Sequence, residues 1–219
     1  IVTRRYFPDD ITAINSLNGG VLSDEAYNAA LKFQKDGTNP RLGIPLQTET
    51  IKNEVSTIRR INYRNWGNDL ILPERVQEKK GTSLIEDNVV VIGYDEEGNI
   101  LESLKKDGAP TSYIWGYGQK YLVAEVKNAT RSQIESIQGF GINFHTGSEG
   151  LTINQENLLR AIPNTLVTTY TYLPLVGIET ITDPSGKIVF YEYDNFKRLK
   201  LIRDSEGNIL TEFKYNYKD

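Results

Sequence analysis

A short turn sequence recurs four times in this chain and constrains its fold more than any other feature. Each copy has Asp first, two variable residues, then Gly or Lys, and a polar residue last. The Asp carboxylate can accept hydrogen bonds from its own turn, and Gly adopts positive φ without steric cost. The pattern therefore predicts tight hairpin turns between short strands. The copies are 95–99 (Asp95, Gly98), 183–187 (Asp183, Gly186), 194–198 (Asp194, Lys197, Arg198) and 204–208 (Asp204, Gly207).

Tyrosines recur together with these turns. Tyr172 lies 21 residues before Tyr193, which lies 22 residues before Tyr215. This spacing indicates an internal repeat, and hairpins stacked in this way form a quasi-one-dimensional sheet. Tyrosines two residues apart share one face of a strand, so we expect cross-strand rows with a structural role. The pairs are Tyr170 with Tyr172, Tyr191 with Tyr193, and Tyr215 with Tyr217.

Helix signals are few. Ser23 suits an N-cap, and the apolar spacing after it predicts a helix over 23–35 that ends before Gly37. Two capping boxes predict further short helices: Thr130 with Gln133, and Thr152 with Gln155.

The pattern of residue types changes along the sequence, and we divide the chain into four regions. The predicted fold class is mainly β, an antiparallel β-hairpin ribbon with two or three short helices. The regions are 1–87, β-rich with the helix 23–35; 88–127, a β-meander; 128–166, a helical and Gly-rich insertion; and 167–219, the C-terminal repeats.

Composition argues against several classes of protein. The 25 basic and 29 acidic residues give a net charge of -4, so no general positive field attracts nucleic acid. Cysteine is absent, which excludes disulfides and thiolate metal sites within the chain. No stretch approaches the roughly 20 consecutive apolar residues of a membrane helix. We therefore expect no nucleic-acid partner and no membrane span.

The residues needed for catalysis are also sparse. His145 is the single histidine, and without a second histidine or a cysteine it supports neither a metal site nor a conventional triad. Each repeat turn carries only one or two carboxylates, whereas a calcium loop needs several oxygen ligands. We therefore expect no catalytic, cofactor or metal site, and a non-enzymatic protein.

The Tyr-Asp turns resemble a known repeat. Residues 94–100 (YDEEGNI) and 193–199 (YDNFKRL) look like YD repeats of the RHS-repeat family. The stretch 168–217 is similar to the terminal repeats of RHS proteins of Bacteroidetes-type bacteria. One position departs from the repeat, because Lys197 stands where Gly is usual; at positive φ this costs about 1 kcal/mol and favours a turn of another type. Segments that resemble the same group of proteins lie upstream, at 44–50 (IPLQTET), 65–74 (NWGNDLILPE), 113–130 (YIWGYGQKYLVAEVKNAT) and 158–164 (LLRAIPN).

The resemblance implies a partial RHS shell, in which a ribbon of strands encloses a cargo or makes contacts at the cell surface. It implies an extracellular or cell-surface location. It also implies that the partner is the remainder of the same polypeptide or shell, with secretion machinery or a surface lipoprotein as further candidates. The chain lacks methionine and opens at Ile1, from which we expect a piece of a longer protein.

Two alternatives to a shell segment stay open. Trp66 and Trp115, with tyrosines nearby, have the flat apolar rings that suit stacking on sugars, so a carbohydrate-binding module is the main alternative. The same rings also suit packing between sheets. An enzyme with an unrecognised site is the third candidate.

Overall fold

Antiparallel β-strands dominate the computed structural model, which describes residues 1–12, 21–140 and 149–216. Thirteen strands and three short α-helices lie wholly within these ranges. They belong to two units, Ile1–Ala109 and Pro110–Asp219. The predicted fold class, an antiparallel hairpin ribbon with short helices, is confirmed. The finer division into four regions stays a prediction.

The first unit is a meander in which each strand pairs antiparallel with the next strand along the chain. Burial alternates along β3, where Ile58, Arg60 and Asn62 are buried and the residues between them are more exposed. One helix, α1 (Asp24–Leu31), lies between the first two strands. The strands are β1 (Val2–Tyr6), β2 (Gln47–Lys52), β3 (Val55–Asn65), β4 (Ile71–Lys80), β5 (Glu86–Tyr94) and β6 (Ile100–Lys105).

The core of this unit forms where α1 packs against β3. The three alanines of the helix are buried, and Phe33 contacts Tyr63 edge-to-face with ring centroids 4.9 Å apart. Small helix residues let the backbone approach the sheet closely, and the two aromatic rings pack into the same buried apolar cluster.

The helix ends four residues earlier than the sequence predicts. It begins as expected after Ser23, whose hydroxyl accepts from the Ala26 amide, but it ends at Leu31 rather than at 35. The chain reverses at Gly37, where an added Cβ would lie only 2.4 Å from the carbonyl oxygen of Lys32. This close approach turns the segment back on the helix, so the final turn of the predicted helix is not formed.

The second unit is a meander of the same kind, interrupted between β8 and β9 by helices α2 (Arg131–Glu135) and α3 (Ile153–Arg160). Both predicted capping boxes are present, with the Thr hydroxyls accepting from the backbone amides of Gln133 and Gln155. The strands are β7 (Pro110–Gly116), β8 (Tyr121–Lys127), β9 (Leu166–Leu173), β10 (Gly177–Thr182), β11 (Ile188–Tyr193), β12 (Leu199–Asp204) and β13 (Ile209–Glu212).

In the described part of this unit, the helices pack on its first three strands. Ile134 and Leu159 of the helices are buried with Ile114, Val123 and Val167 of the sheet in one apolar cluster. None of the helices in the described ranges is long and apolar enough to cross a membrane.

Strands β10 to β13, which we call the C-terminal ribbon, have no covering layer among the described residues. Between residues 174 and 216 only Leu201 is buried. A sheet normally buries at least one face against another element, and a ribbon of a few strands without such a layer is only marginally stable in water. The ribbon therefore depends on its turns and local contacts.

Candidate functional site

The four repeat turns share one hydrogen-bond pattern, which the turn at Asp204 illustrates. Its Oδ1 accepts from the backbone amides of Glu206 (2.9 Å) and Asn208 (2.8 Å). The Gly207 amide donates to the Asp204 carbonyl (3.1 Å), and the Asp204 amide donates to the Asn208 carbonyl (3.1 Å). Each turn is thus a three-residue loop closed by its own carboxylate. The same contacts occur in the turns that begin at Asp95, Asp183 and Asp194.

The fifth residue of the turn completes this arrangement with its side chain. Asn99 and Asn208 donate from Nδ2 to the second carboxylate oxygen, at 2.9 and 2.8 Å. Arg198 does the same through Nε at 2.8 Å and through Nη2. At Asp183 the Ser185 hydroxyl donates instead to Oδ1, at 2.7 Å. Sequence reasoning missed this role, although the polar fifth position was its visible signal.

These contacts stabilise the charged carboxylate. The side-chain hydrogen bond from Ser185 is the main reason why the pKa of Asp183 lies below its ordinary value. The Arg198 side chain lowers the pKa of Asp194, and the Asn208 amide lowers that of Asp204, in each case with help from turn amides. Donors that bond to the charged form favour ionisation.

Lys197 occupies the same left-handed position as the glycines of the other turns. Its φ is 62°, compared with 85° for Gly98, 85° for Gly186 and 86° for Gly207. The Lys197 amide donates to the Asp194 carbonyl at 2.9 Å, as the glycine amides do in their turns. The expectation of a different turn type is therefore wrong. The doubled contact between Arg198 and the carboxylate holds the strained turn closed.

Four tyrosines, which we call the tyrosine anchors, fix neighbouring strands to one another. Each hydroxyl donates to a backbone carbonyl of a strand earlier in the chain. Three of them, Tyr172, Tyr193 and Tyr215, belong to the predicted rows, whereas the sequence predicts Tyr94 only as part of a repeat turn and predicts none of the hydroxyl contacts. Tyr217, which was predicted to share a row with Tyr215, lies outside the described residues. The contacts are Tyr94 to Pro73, Tyr172 to Leu122, Tyr193 to Ile178 and Tyr215 to Leu199, each at 2.8 Å.

The anchors lie where ladder pairing has stopped. Strands β10 and β11 pair from Thr182 opposite Ile188 to Thr180 opposite Phe190, and beyond this point the Tyr193 hydroxyl reaches the Ile178 carbonyl. The Ile178 carbonyl, which lies beyond the last residue pair of β10 and β11, thereby accepts a hydrogen bond from β11. The tyrosine ring is accommodated by Gly177, where an added Cβ would lie 2.3 Å from the Tyr193 hydroxyl oxygen.

Burial strengthens two of the anchors. Desolvation raises the pKa of Tyr94 to about 12 and that of Tyr172 to about 12. The Tyr172 ring stacks on Tyr121 at 4.7 Å and meets Tyr117 edge-to-face at 5.8 Å. The Tyr117 hydroxyl also accepts from the Tyr172 backbone amide, at 3.2 Å. These hydroxyls therefore stay protonated as donors across the physiological pH range.

The two tryptophans of the suggested sugar platform belong to different units. Trp66 contacts the Tyr94 ring edge-to-face at 5.1 Å, lies 4.9 Å from the Arg64 guanidinium and donates to the Leu72 carbonyl at 3.4 Å. Trp115 is half-buried in β7. Trp66 is thus part of the packing around a tyrosine anchor, and the sugar platform stays a prediction. His145 lies outside the described residues.

A cavity of about 420 Å³ in the first unit has lining side chains of both charges. Within it Lys106 pairs with Glu86 at 2.5 Å. The described residues contain no group of three or more His, Asp or Glu side chains placed to hold a metal ion. The cavity lining includes Glu78, Lys79, Lys80, Glu86, Asp87 and Lys106.

Comparison with known proteins gives only distant likenesses. No protein-family model matches the sequence, and no curated protein matches it. A crystal structure of TcdB2-TccC3-Cdc42 is similar over 76% of this chain and 8% of its own, at 14% identity and a TM-score of 0.44. A crystal structure of TcdB2-TccC3 without its hypervariable C-terminal region is similar over 76% of this chain and 8% of its own, at 15% identity and a TM-score of 0.45. A structure of the Photorhabdus luminescens Tc holotoxin pore is similar over 79% of this chain and 9% of its own, at 14% identity and a TM-score of 0.40. The chain spans less than a tenth of each.

We expect the substitution Lys197→Gly to stabilise the second unit. Glycine removes the steric cost of positive φ, and after its own entropic cost the free energy of unfolding should rise by about 0.5 to 1 kcal/mol. The reciprocal change Gly207→Lys should lower it by about 1 kcal/mol. Urea unfolding measures both, and a destabilised Lys197→Gly variant would contradict the strain at this turn.

We expect Tyr193→Phe to lower the free energy of unfolding by about 1 kcal/mol, because it removes the donor to the Ile178 carbonyl while keeping the ring. Tyr191→Phe is the matched control, since the Tyr191 hydroxyl has no hydrogen-bond partner among the described residues. Thermal unfolding monitored by circular dichroism compares the two. Equal decreases in stability of the two variants would show that the hydrogen bond of the Tyr193 hydroxyl does not stabilise the fold.

Acid should loosen the repeat turns. An Asp whose folded pKa is lowered contributes stability above its ordinary pKa of about 4, and this contribution is lost as pH falls through the folded value. Asp204→Asn should therefore be less stable than the parent chain near neutral pH, and the difference should shrink below about pH 3. Urea unfolding of both proteins across this pH range measures the difference between their free energies of unfolding. A difference that grows as the pH falls would contradict the prediction.

Proposed function

We propose that this chain is a non-catalytic structural and interaction segment of a large RHS/YD-repeat protein of the Bacteroidetes type. It contributes β-hairpins to a shell-like assembly that encloses a cargo or makes contacts at a surface. The parent protein is secreted or displayed on the cell surface. The partner of the segment is the remainder of its own polypeptide or shell, with secretion machinery or a surface lipoprotein as additional contacts.

The uncovered C-terminal ribbon is the observation that carries this proposal. Both faces of β11 expose aromatic side chains in part, among them Phe190 and Tyr193, and only Leu201 is buried in the whole ribbon. Burial of apolar area is the main favourable term in folding, and Ile209, Leu210 and Phe213 at the end of the ribbon are 55%, 54% and 39% exposed. Such a ribbon fits a structure in which further layers or neighbouring turns cover it.

The chemistry of the repeat turns supports a structural role over a catalytic one. The carboxylates of Asp183, Asp194 and Asp204 are each occupied by backbone amides and a side-chain donor of the same turn. Their pKa values are lowered, whereas a general acid needs a raised pKa. These residues are therefore suited to hold hairpins closed.

The test is to compare the ribbon in the native protein and in the isolated chain. Intact mass and peptide mapping of protein recovered from cells should identify a polypeptide that extends beyond these 219 residues. Hydrogen exchange followed by mass spectrometry should then show amides of the C-terminal ribbon exchanging about a hundredfold more slowly in the native assembly than in the isolated chain.

Strand β8 provides the internal control. Val123 and Val126 are fully buried beneath the helices, so their amides should be protected in both samples. If the ribbon is as well protected in the isolated chain as β8 is, the segment is self-sufficient and the shell proposal fails. A native polypeptide of only these 219 residues would refute it as well.

A further inference from the structure

The turns of the second unit lie at two opposite ends of its strands. Each strand runs antiparallel to its neighbour, so successive turns alternate between the two ends. Turns 117–120, 173–177 and 194–198 share one end. Three of the tyrosine anchors bond to carbonyls next to these turns, and we call this end the anchored rim. Turns 183–187 and 204–208 share the other end, which we call the glycine rim.

Backbone strain distinguishes the two rims. At the end of the strands that carries the glycine rim, positive φ occurs at Gly186, Gly207, Asn128 and Asn164, residue types that tolerate it. In the described part of the second unit, all other non-glycine residues with positive φ lie at the anchored rim. Strain of this kind is concentrated at functional sites. The strained residues are Tyr117, Gln119, Leu175 and Lys197, with φ between 53° and 63°.

The turn between β9 and β10 is the clearest case. Its Val176 amide donates to the Leu173 carbonyl at 3.0 Å, and Pro174 precedes Leu175, whose φ is 61°. A type II turn of this form favours Gly or Asn at its third position. Leu175 is instead 86% exposed, and it follows Leu173 and Pro174, which are exposed as well. Such an apolar run is unfavourable at a surface unless it makes a contact.

A second apolar tip lies on the same rim, in the repeat turn 194–198. Phe196 is the third residue of this turn and is 74% exposed, whereas the other three repeat turns have a polar residue at this position. The strained Lys197 follows it. Two strand spacings separate this turn from the one at Leu175, which places the two tips about 10 Å apart.

Local contacts hold both tips in place. The Tyr121 hydroxyl accepts from the Leu175 amide at 3.4 Å. The Arg198 guanidinium lies 5.2 Å from the centre of the Phe196 ring. Tips that are already ordered lose less conformational freedom when they bind, so the anchored rim is prepared for a contact.

The surroundings of Phe196 are basic. Lys197 and Lys200 are exposed, and within the described ranges neither forms an ion pair. A carboxylate on the surface opposite would therefore be favourable. The acidic residues nearby are already paired: Asp194 with Arg198, Glu192 with Arg203, and Glu212 with Lys214.

The size of the apolar part of this rim indicates what covers it. Specific complexes between separate proteins bury roughly 800 Å² on each partner, and three exposed apolar side chains at two tips supply much less. A small contact is sufficient when both surfaces belong to one polypeptide, because the connection raises their effective concentration. This favours a surface elsewhere in the parent polypeptide over a second copy of the segment.

We infer that Leu175 and Phe196 of the anchored rim dock into two apolar pockets on another part of the parent polypeptide, with a carboxylate opposite Lys197. This inference rests on the proposed function, in which the rest of the polypeptide surrounds the segment. The strained turns project the two side chains from the rim, and the contact that they make offsets the strain.

Photocrosslinking in the native polypeptide tests the inference. The photoreactive residue p-benzoylphenylalanine replaces Phe196 in one sample and Glu206 in a control, since Glu206 has the same turn position at the glycine rim. Irradiation should join position 196 to a peptide from outside these 219 residues that contains apolar residues and an Asp or Glu. Position 206 should not be joined to this peptide.

Four crosslinking results would overturn the inference. They are no crosslink from position 196, a crosslink from it that stays within the 219 residues of the same molecule, one that joins the segments of two molecules, and the same peptide from both positions. The crosslink between two molecules would identify a second copy as the occupant.

The substitution Leu175→Asn separates docking from a role inside the segment. Asn adopts positive φ more readily than Leu, so the thermal midpoint of the isolated chain should rise by about 1 to 3 °C. In the native polypeptide the same substitution should reduce the crosslink from position 196, because one of the two tips no longer docks. A lower midpoint would show that Leu175 packs within the segment, and an unchanged crosslink would show that it does not dock. Either result would overturn the inference.

The outcomes also separate this inference from the function on which it rests. If the C-terminal ribbon is protected only in the native protein but position 196 is not joined to an outside peptide, the shell proposal stands and docking of the rim is refuted. A native polypeptide of only these 219 residues would refute both.

Discussion

The fold of the repeats depends on one carboxylate oxygen that gathers two backbone amides at each turn. Asp95 and its three counterparts fix the loop length at three residues, and the loop length sets the register of the strands that follow. Because side chains alternate along a strand, a slip of one residue would move every tyrosine to the opposite face. The anchors described above require this register.

In the hairpins closed at Asp183 and Asp204, the two ends are therefore held by different chemistry. At the closed end a charged carboxylate organises the turn, and at the open end a neutral phenol, Tyr193 or Tyr215, donates to a carbonyl of the other strand. Neither contact needs a covering layer. These contacts hold together a ribbon in which only one described residue, Leu201, is buried.

The sequence was most informative where local chemistry decides the structure. The turns, both capping boxes and the N-cap at Ser23 follow from residue type and spacing alone. The predicted end of α1 was wrong because the chain reverses at Gly37, in close contact with the helix carbonyls, and the sequence pattern does not indicate this contact. The predicted change of turn type at Lys197 was wrong because two donors of Arg198, Nε and Nη2, bond to one carboxylate oxygen of Asp194 and favour the same turn as in the other repeats. The contacts of the tyrosine hydroxyls were not predicted, because the spacing of residues in a sequence does not indicate which distant carbonyl a hydroxyl reaches.

The contact between Gly177 and Tyr193 has an evolutionary consequence. The hydroxyl occupies the space that any side chain at position 177 would fill, since an added Cβ would approach it to 2.3 Å. A larger residue is tolerated at that position only if the ring moves or is lost, and loss of the ring frees the glycine from its constraint. The two positions, 16 residues apart in the sequence, are therefore expected to vary together in related chains, as a linked pair of a small residue and an aromatic one.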